Sequence, residues 1–161
     1  MSVNRRALAL SFVLLLWRSS TTSVAEEVAF AVVSSTQVTH LERLCSREGP
    51  GRISSGWDPA FSQIALAEAR LHGFVTASRR PSRRLGEYYR QYLGVVIDGR
   101  KLIYVNLFPR LLVERRELGG VLRDHWRTDF VDVCDGGDAF WGVLFDPAAL
   151  RFFSPRFNGV A

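Results

Sequence analysis

Three residues of the stretch Cys134-Asp135-Gly136-Gly137-Asp138 have side chains that could do chemistry: a thiol and two carboxylates, with Asp132 just upstream. A nucleophilic cysteine needs a neighbouring base or cation to hold it as thiolate. Here the flanking Asp132 and Asp135 would raise its pKa instead, and His125 is the only histidine near it in sequence. A calcium site needs oxygen ligands at loop spacing, and Asp132, Asp135 and Asp138 do not keep that spacing. The simpler reading is a tight turn in which Gly136 and Gly137 take positive φ and the aspartates cap and solvate it. On this reading Asp135 to Asp138 turns a strand pair, and a strand over residues 128–134 points Asp132 away from its neighbours.

Cys134 then needs a partner, and Cys45 is the one other cysteine. An exported chain with two cysteines most simply bridges them, so a Cys45–Cys134 disulfide is expected. His40, His72 and His125 are scattered and show no metal-ligand spacing. The sequence has no nucleophile elbow, no phosphate loop and no repeat. It names no catalytic residue, no metal and no cofactor.

Two other groups could bind. Arg79, Arg80, Arg83 and Arg84 surround Pro81 and could meet phosphate, a lipid head group or an acidic partner; otherwise they form a solvated connector. Tyr88, Tyr89, Tyr92, Tyr104 and Trp141 could form an exposed aromatic sheet face, since such rings join apolar area to a polar handle. Otherwise they bury beneath loops. Tyr92, Tyr104, Trp141, Arg83 and Arg84 are the candidate binding residues.

The elements that would position these groups follow from pattern. The first 25 residues have a basic start at Arg5-Arg6, an apolar run from Ala7 to Trp17 and a small-residue end at Ser23-Val24-Ala25. That is the layout of a secretory signal peptide. The run is short of the ~20 residues that cross a bilayer, so no stable membrane span is expected after cleavage. Cleavage removes Arg5, Arg6 and Arg18 with no acid, so the net charge of +5 falls to about +2. Lys101 is the only lysine among the basic residues, an arginine bias that points weakly, if at all, to nucleic acid, and no nucleic-acid partner is expected.

Residues 26–57 read as leader and loop, with a first strand possible near 26–36. Residues 58–161 read as one α+β domain. Asp58 and Pro59 look like N-cap and first turn of a helix whose stripe is Ala60, Ile64, Ala67, Leu71 and Phe74. Tyr88 to Phe108 reads as a hairpin turned at Asp98-Gly99. A three-residue loop there would put Leu93, Val95 and Ile97 on one face with Ile103, Val105 and Leu107. Residues 128–157 read as three strands, the last two turned at Asp146-Pro147. The expected fold is therefore one main helix packed on a four- to five-stranded antiparallel sheet, a cystatin-like arrangement.

The wording CDGGDAFWGVLFDP with the later FNG, and the hairpin YLGVVIDGRKLIYVNLF, resemble a group of small exported proteins of GC-rich bacteria. The resemblance implies export and a single small domain, and brings no activity or site residue with it. The expected function is a non-enzymatic periplasmic or secreted protein that binds a protein or small ligand through a sheet face or edge. The alternative is a hydrolase- or isomerase-like pocket between helix and sheet, with acid–base groups drawn from Asp132, His125 and Tyr104.

Overall fold

The computed structural model of the chain describes residues 29–78, 80, 83–114 and 125–160. The signal-peptide reading of residues 1–25 and the placement of Arg79 lie outside them.

The hairpin is the centre of the fold. Strand β3 (Tyr88–Ile97) pairs antiparallel with β4 (Arg100–Pro109), and Ile97 faces Arg100 across the turn. The loop is therefore two residues, not the expected three. Asp98 and Gly99 have φ of 48° and 73°, the mirror-image turn whose twist matches that of the strands. This register moves every side chain to the face opposite the one expected for its partner. Leu93 and Val95 lie beside Tyr104 and Leu102, and Tyr92 lies beside Val105.

Strand β5 (Trp141–Asp146) pairs with β4, and β6 (Arg151–Phe157) pairs with β5, both antiparallel. The Asp146-Pro147 turn is present. The Asp146 carboxylate accepts from the amides of Ala148 and Ala149 at 2.9 and 3.1 Å. On the far side of β3, two short strands share one edge end to end. Strand β1 (Phe30–Val32) runs parallel to Arg90–Tyr92, and β2 (Ile53–Trp57) runs antiparallel to Gly94–Ile97. Much of the segment expected as leader and loop is thus built into a six-stranded, mostly antiparallel sheet.

Helix α1 (Phe61–Ala77) covers one face. Its Ile64, Ala67, Leu71 and Val75 pack against Tyr88, Tyr92, Ile103, Val105, Trp141, Val143 and Phe145. Ile64, Ala67 and Leu71 of the expected stripe are buried, but Ala60 lies exposed before the helix, Val75 is buried in place of the half-buried Phe74, and the cap also differs. Pro59 and Ala60 precede the first helical turn, and the Ala60 amide donates to Gln63 Oε1 at 2.9 Å. Asp58 instead accepts from the Ser35 amide at 3.1 Å, which holds a 3-10 helix over Ser35–Glu42. A short helix α2 (Arg110–Glu114) follows β4 directly.

The opposite face is covered by the 3-10 helix and by irregular chain. Val33, Leu41 and Phe130 pack on Leu93, Val95, Leu102, Tyr104 and Leu144. Residues 128–134 form no strand, against expectation. The expected turn glycines do take positive φ, 84° at Gly136 and 57° at Gly137, but they lead into a 3-10 turn (Gly137–Ala139) before β5 rather than joining two strands.

Candidate functional site

Cys45 and Cys134 are joined, with Cα atoms 5.2 Å apart. Bridged sulfurs cannot attack or ligate, so the thiol chemistry considered for Cys134 is absent. Among the described residues no three His, Cys, Asp or Glu side chains gather into a group able to hold a metal ion.

The aromatic residues do not form an exposed face. Tyr92 and Trp141 are fully buried under α1, and Tyr104 is buried on the other side of the sheet. They are buried, as in the other reading of them, because both faces are covered, one by the helix and one by the 3-10 helix and loop. Each buried hydroxyl meets a different environment. Tyr92 donates to Glu68 on α1, whose carboxylate also takes Nε and Nη2 of Arg90 at 2.7 and 3.0 Å. Burial, reinforced by the Glu68 charge, holds the Tyr92 hydroxyl well above its ordinary pKa. Tyr104 sits over Gly142, where an added Cβ would lie 1.8 Å from the phenol oxygen, so only glycine fits there. Burial raises the Tyr104 pKa too, against the opposing pull of Arg47.

The proposed acid–base set is not assembled. Tyr104 accepts a hydrogen bond from Arg47 Nε at 3.1 Å. Asp132 accepts from the Cys45 amide at 3.2 Å. His125 is exposed and lies 3.7 Å from Asp129, within its own local turn. The inner side chains of α1 meet those of the sheet directly, in one continuous cluster.

The irregular face is held by amide side chains. Gln37 donates to Thr128 O and accepts from Phe130 N, at 2.6 and 2.7 Å. Gln91 donates to Trp126 O and Asp129 O, both at 2.6 Å, and accepts from Val131 N at 2.9 Å. Asn106 donates to Val131 O at 2.7 Å. Asn158 donates to Val133 O and Asp135 O at 2.6 and 2.8 Å. Four amides thus serve eight backbone groups of residues 126–135. A strand would have met that need from its neighbour's backbone.

Arg47 joins this seam to the surface. Its Nη2 and Nη1 donate to Asn106 Oδ1 and Asn158 Oδ1 at 2.5 and 2.6 Å. It also lines an open depression of about 850 Å³ shared with Arg80, Asp138, Arg156 and Asn158. Arg80 lies over the Phe157 ring at 5.4 Å, and Phe157 stacks on Trp141 at 5.6 Å. Trp141 meets Tyr88 edge to face at 6.1 Å. Arg83 and Arg84 line a neighbouring depression with His72, Thr76 and Glu87. Arg80 and Arg156 share the first depression, with Phe157 and then Trp141 beneath Arg80; Arg83 and Arg84 share the second, and Arg83 and Asp138 both act on the Tyr88 hydroxyl. Tyr92 and Tyr104 lie elsewhere. Tyr88 Oη, Trp141 Nε1 and Arg83 Nε are buried with no well-formed hydrogen bond among the described residues.

Sequence reasoning missed Arg47, Arg156 and the Glu68–Arg90 pair. Glu68 lies off the apolar stripe of α1, yet its side chain is only 22% exposed and is held by two sheet residues, Arg90 and Tyr92. The free edge of the sheet at β6 is poorly suited to strand addition. It carries Pro155, two arginines and a kink at Ser154 (φ 52°).

No family model matches the chain, and no curated protein or solved structure matches it either. No helix among the described residues is long and apolar enough to cross a membrane.

Proposed function

We propose that the chain is an exported binding or interaction protein without catalytic chemistry, and that its contact surface is the arginine flank. The disulfide is compatible with an oxidising compartment. The path β2–α1–β3–β4–β5–β6, an antiparallel meander with one long helix after its first strand, favours a cystatin-like architecture with β1 added at the edge. Such an architecture assigns no activity by itself.

The observation that carries the reading is that Arg47, Arg80 and Arg156 line one depression and Arg83 and Arg84 another, with Arg83 and Asp138 both acting on the Tyr88 hydroxyl. The groups that could run acid–base chemistry are, by contrast, buried, bonded to structural partners or exposed at separate places. An enclosed pocket between helix and sheet has little support, because that space is filled by side chains of the core.

Charge reversal tests the surface. Arg83→Glu with Arg84→Glu and Arg156→Glu should lower the salt needed to elute the protein from a polyanionic matrix. Arg43→Glu with Arg52→Glu and Arg70→Glu, three exposed arginines outside these depressions, should change it much less. Equal effects from the two sets would sink the assignment to this flank.

A further inference from the structure

Arg47 carries a charge that its hydrogen bonds do not require. It is 9% exposed. Its three acceptors, Tyr104 Oη, Asn158 Oδ1 and Asn106 Oδ1, are all neutral. No carboxylate of the described residues pairs with it. Asp132, close enough to raise the Tyr104 pKa, is bonded to the Cys45 amide instead. Guanidinium stays protonated under all ordinary conditions, so this is a permanent buried cation among dipoles. A neutral donor could have tied the same three oxygens together. A buried charge without a counter-ion is costly, and an arriving anion relieves that cost.

The rim sharpens the point. Arg80 pairs with Asp138 at 3.4 Å and Arg156 with Glu48 at 3.6 Å. Both rim pairs are matched one for one, which leaves Arg47 as the surplus charge of the depression. Guanidinium has five N–H donors, and three are used here. Two remain, on the side chain that lines the cleft with Ser46, Arg80 and Arg156.

We infer that this depression is an oxyanion site with Arg47 at its floor. It takes a carboxylate, sulfate or phosphate group on the two remaining guanidinium N–H donors. Arg156 or Arg80 turns from its exposed rim partner to close over the ion. The inference rests on the arginine flank being the contact surface. The oxyanion can come from a small molecule or from an acidic side chain of a polypeptide.

The test is an amide-resolved NMR titration of the oxidised chain at constant ionic strength, in separate arms with sulfate, phosphate, citrate and a glutamate-rich peptide. Saturable shifts confined to residues 46–48, 138 and 156–160 are expected in at least one arm. Saturation by the small ions identifies a small-molecule source, and saturation by the peptide alone identifies a polypeptide. Arg47→Lys keeps the charge and loses the fork, and should weaken binding about tenfold. Should that variant fail to fold, Arg80→Gln with Arg156→Gln carries the test, with a several-fold loss expected. Shifts that rise linearly and spread over exposed arginines throughout the protein overturn the site, as does unchanged affinity in the Arg80/Arg156 variant. The two readings fail separately. Sulfate saturating at Arg47 while charge reversal leaves polyanion retention unchanged removes the flank and keeps the site. Retention that responds to charge reversal without any saturable ion keeps the flank and removes the site.

Discussion

The two faces of the central sheet are packed by different means. Under α1 the face is hydrocarbon and aromatic ring, with one ion pair, Glu68–Arg90, that also takes the neutral Tyr92 hydroxyl. On the other face the same strands present Gln91, Asn106 and Tyr104 among Leu93, Val95 and Leu102. A helix satisfies its own backbone, so the surface it lies on can be apolar. The segment 126–135 is neither helix nor strand, so apart from the Thr128 and Asp129 amides, which bond His125 O, many of its backbone groups need side-chain partners, which Gln91 and Asn106 of the sheet supply with Gln37 and Asn158. Leaving such groups buried and unpaired costs on the order of 1–3 kcal/mol each. The polar character of a sheet face is thus set by the regularity of what covers it.

The largest expected effect tests the irregular side. Opening the bridge with Cys45→Ser and Cys134→Ser frees a span of 89 residues and should cost about 4–5 kcal/mol by urea unfolding. A loss under 1 kcal/mol would mean that the amides alone secure that face. Next is Asn106→Leu, which keeps the branching at Cγ but strips Val131 O, Gln91 Oε1 and Arg47 of a partner. About 4 kcal/mol is expected, against a small change if the network were incidental. On the helix side, Leu71→Ala should cost about 3 kcal/mol through the cavity it leaves, and should not perturb the NMR signals of residues 126–135. If it does perturb them, the two faces are not independent.

The smallest effect is a pH dependence at the β5–β6 turn. The Ala149 amide, aided by Arg100 and the Ala148 amide against the opposing effect of burial, holds the Asp146 carboxyl below its ordinary pKa. A depressed pKa stabilises the fold above the unfolded value and loses that contribution as pH falls through the folded one. Asp146→Asn should therefore lower stability at neutral pH and flatten its dependence on pH below about 4. An unchanged acid limb would remove Asp146 from it.

Much of the helix side was legible in the sequence because it follows period. Ile64, Ala67, Leu71 and Phe74 repeat at helical spacing, and the hairpin announces itself through Asp98-Gly99. The register was misread because loop length is decided by backbone twist, which composition does not display. Residues 128–134 alternate like a strand, yet four amides from distant positions hold them as coil. A signal for that was present. The chain has six Asn and Gln residues, and Gln91 and Asn106 interrupt otherwise apolar strands. An amide inside such a strand marks a neighbour that lacks its own hydrogen bonds. Arg47 had no such marker. It lies in a Gly- and Ser-rich stretch, and its burial depends on contacts up to 111 residues away. The disulfide was legible because two cysteines leave one intramolecular pairing.

The amide seam also fixes how the molecule answers to its surroundings. Carboxylates and imidazoles change charge between about pH 3 and 8, whereas Asn and Gln side chains do not titrate at all. The contacts that hold residues 126–135 to Gln37, Gln91, Asn106 and Asn158 therefore keep their donors and acceptors in place from acid to mild alkali. A wall built this way needs no buffered medium to stay shut.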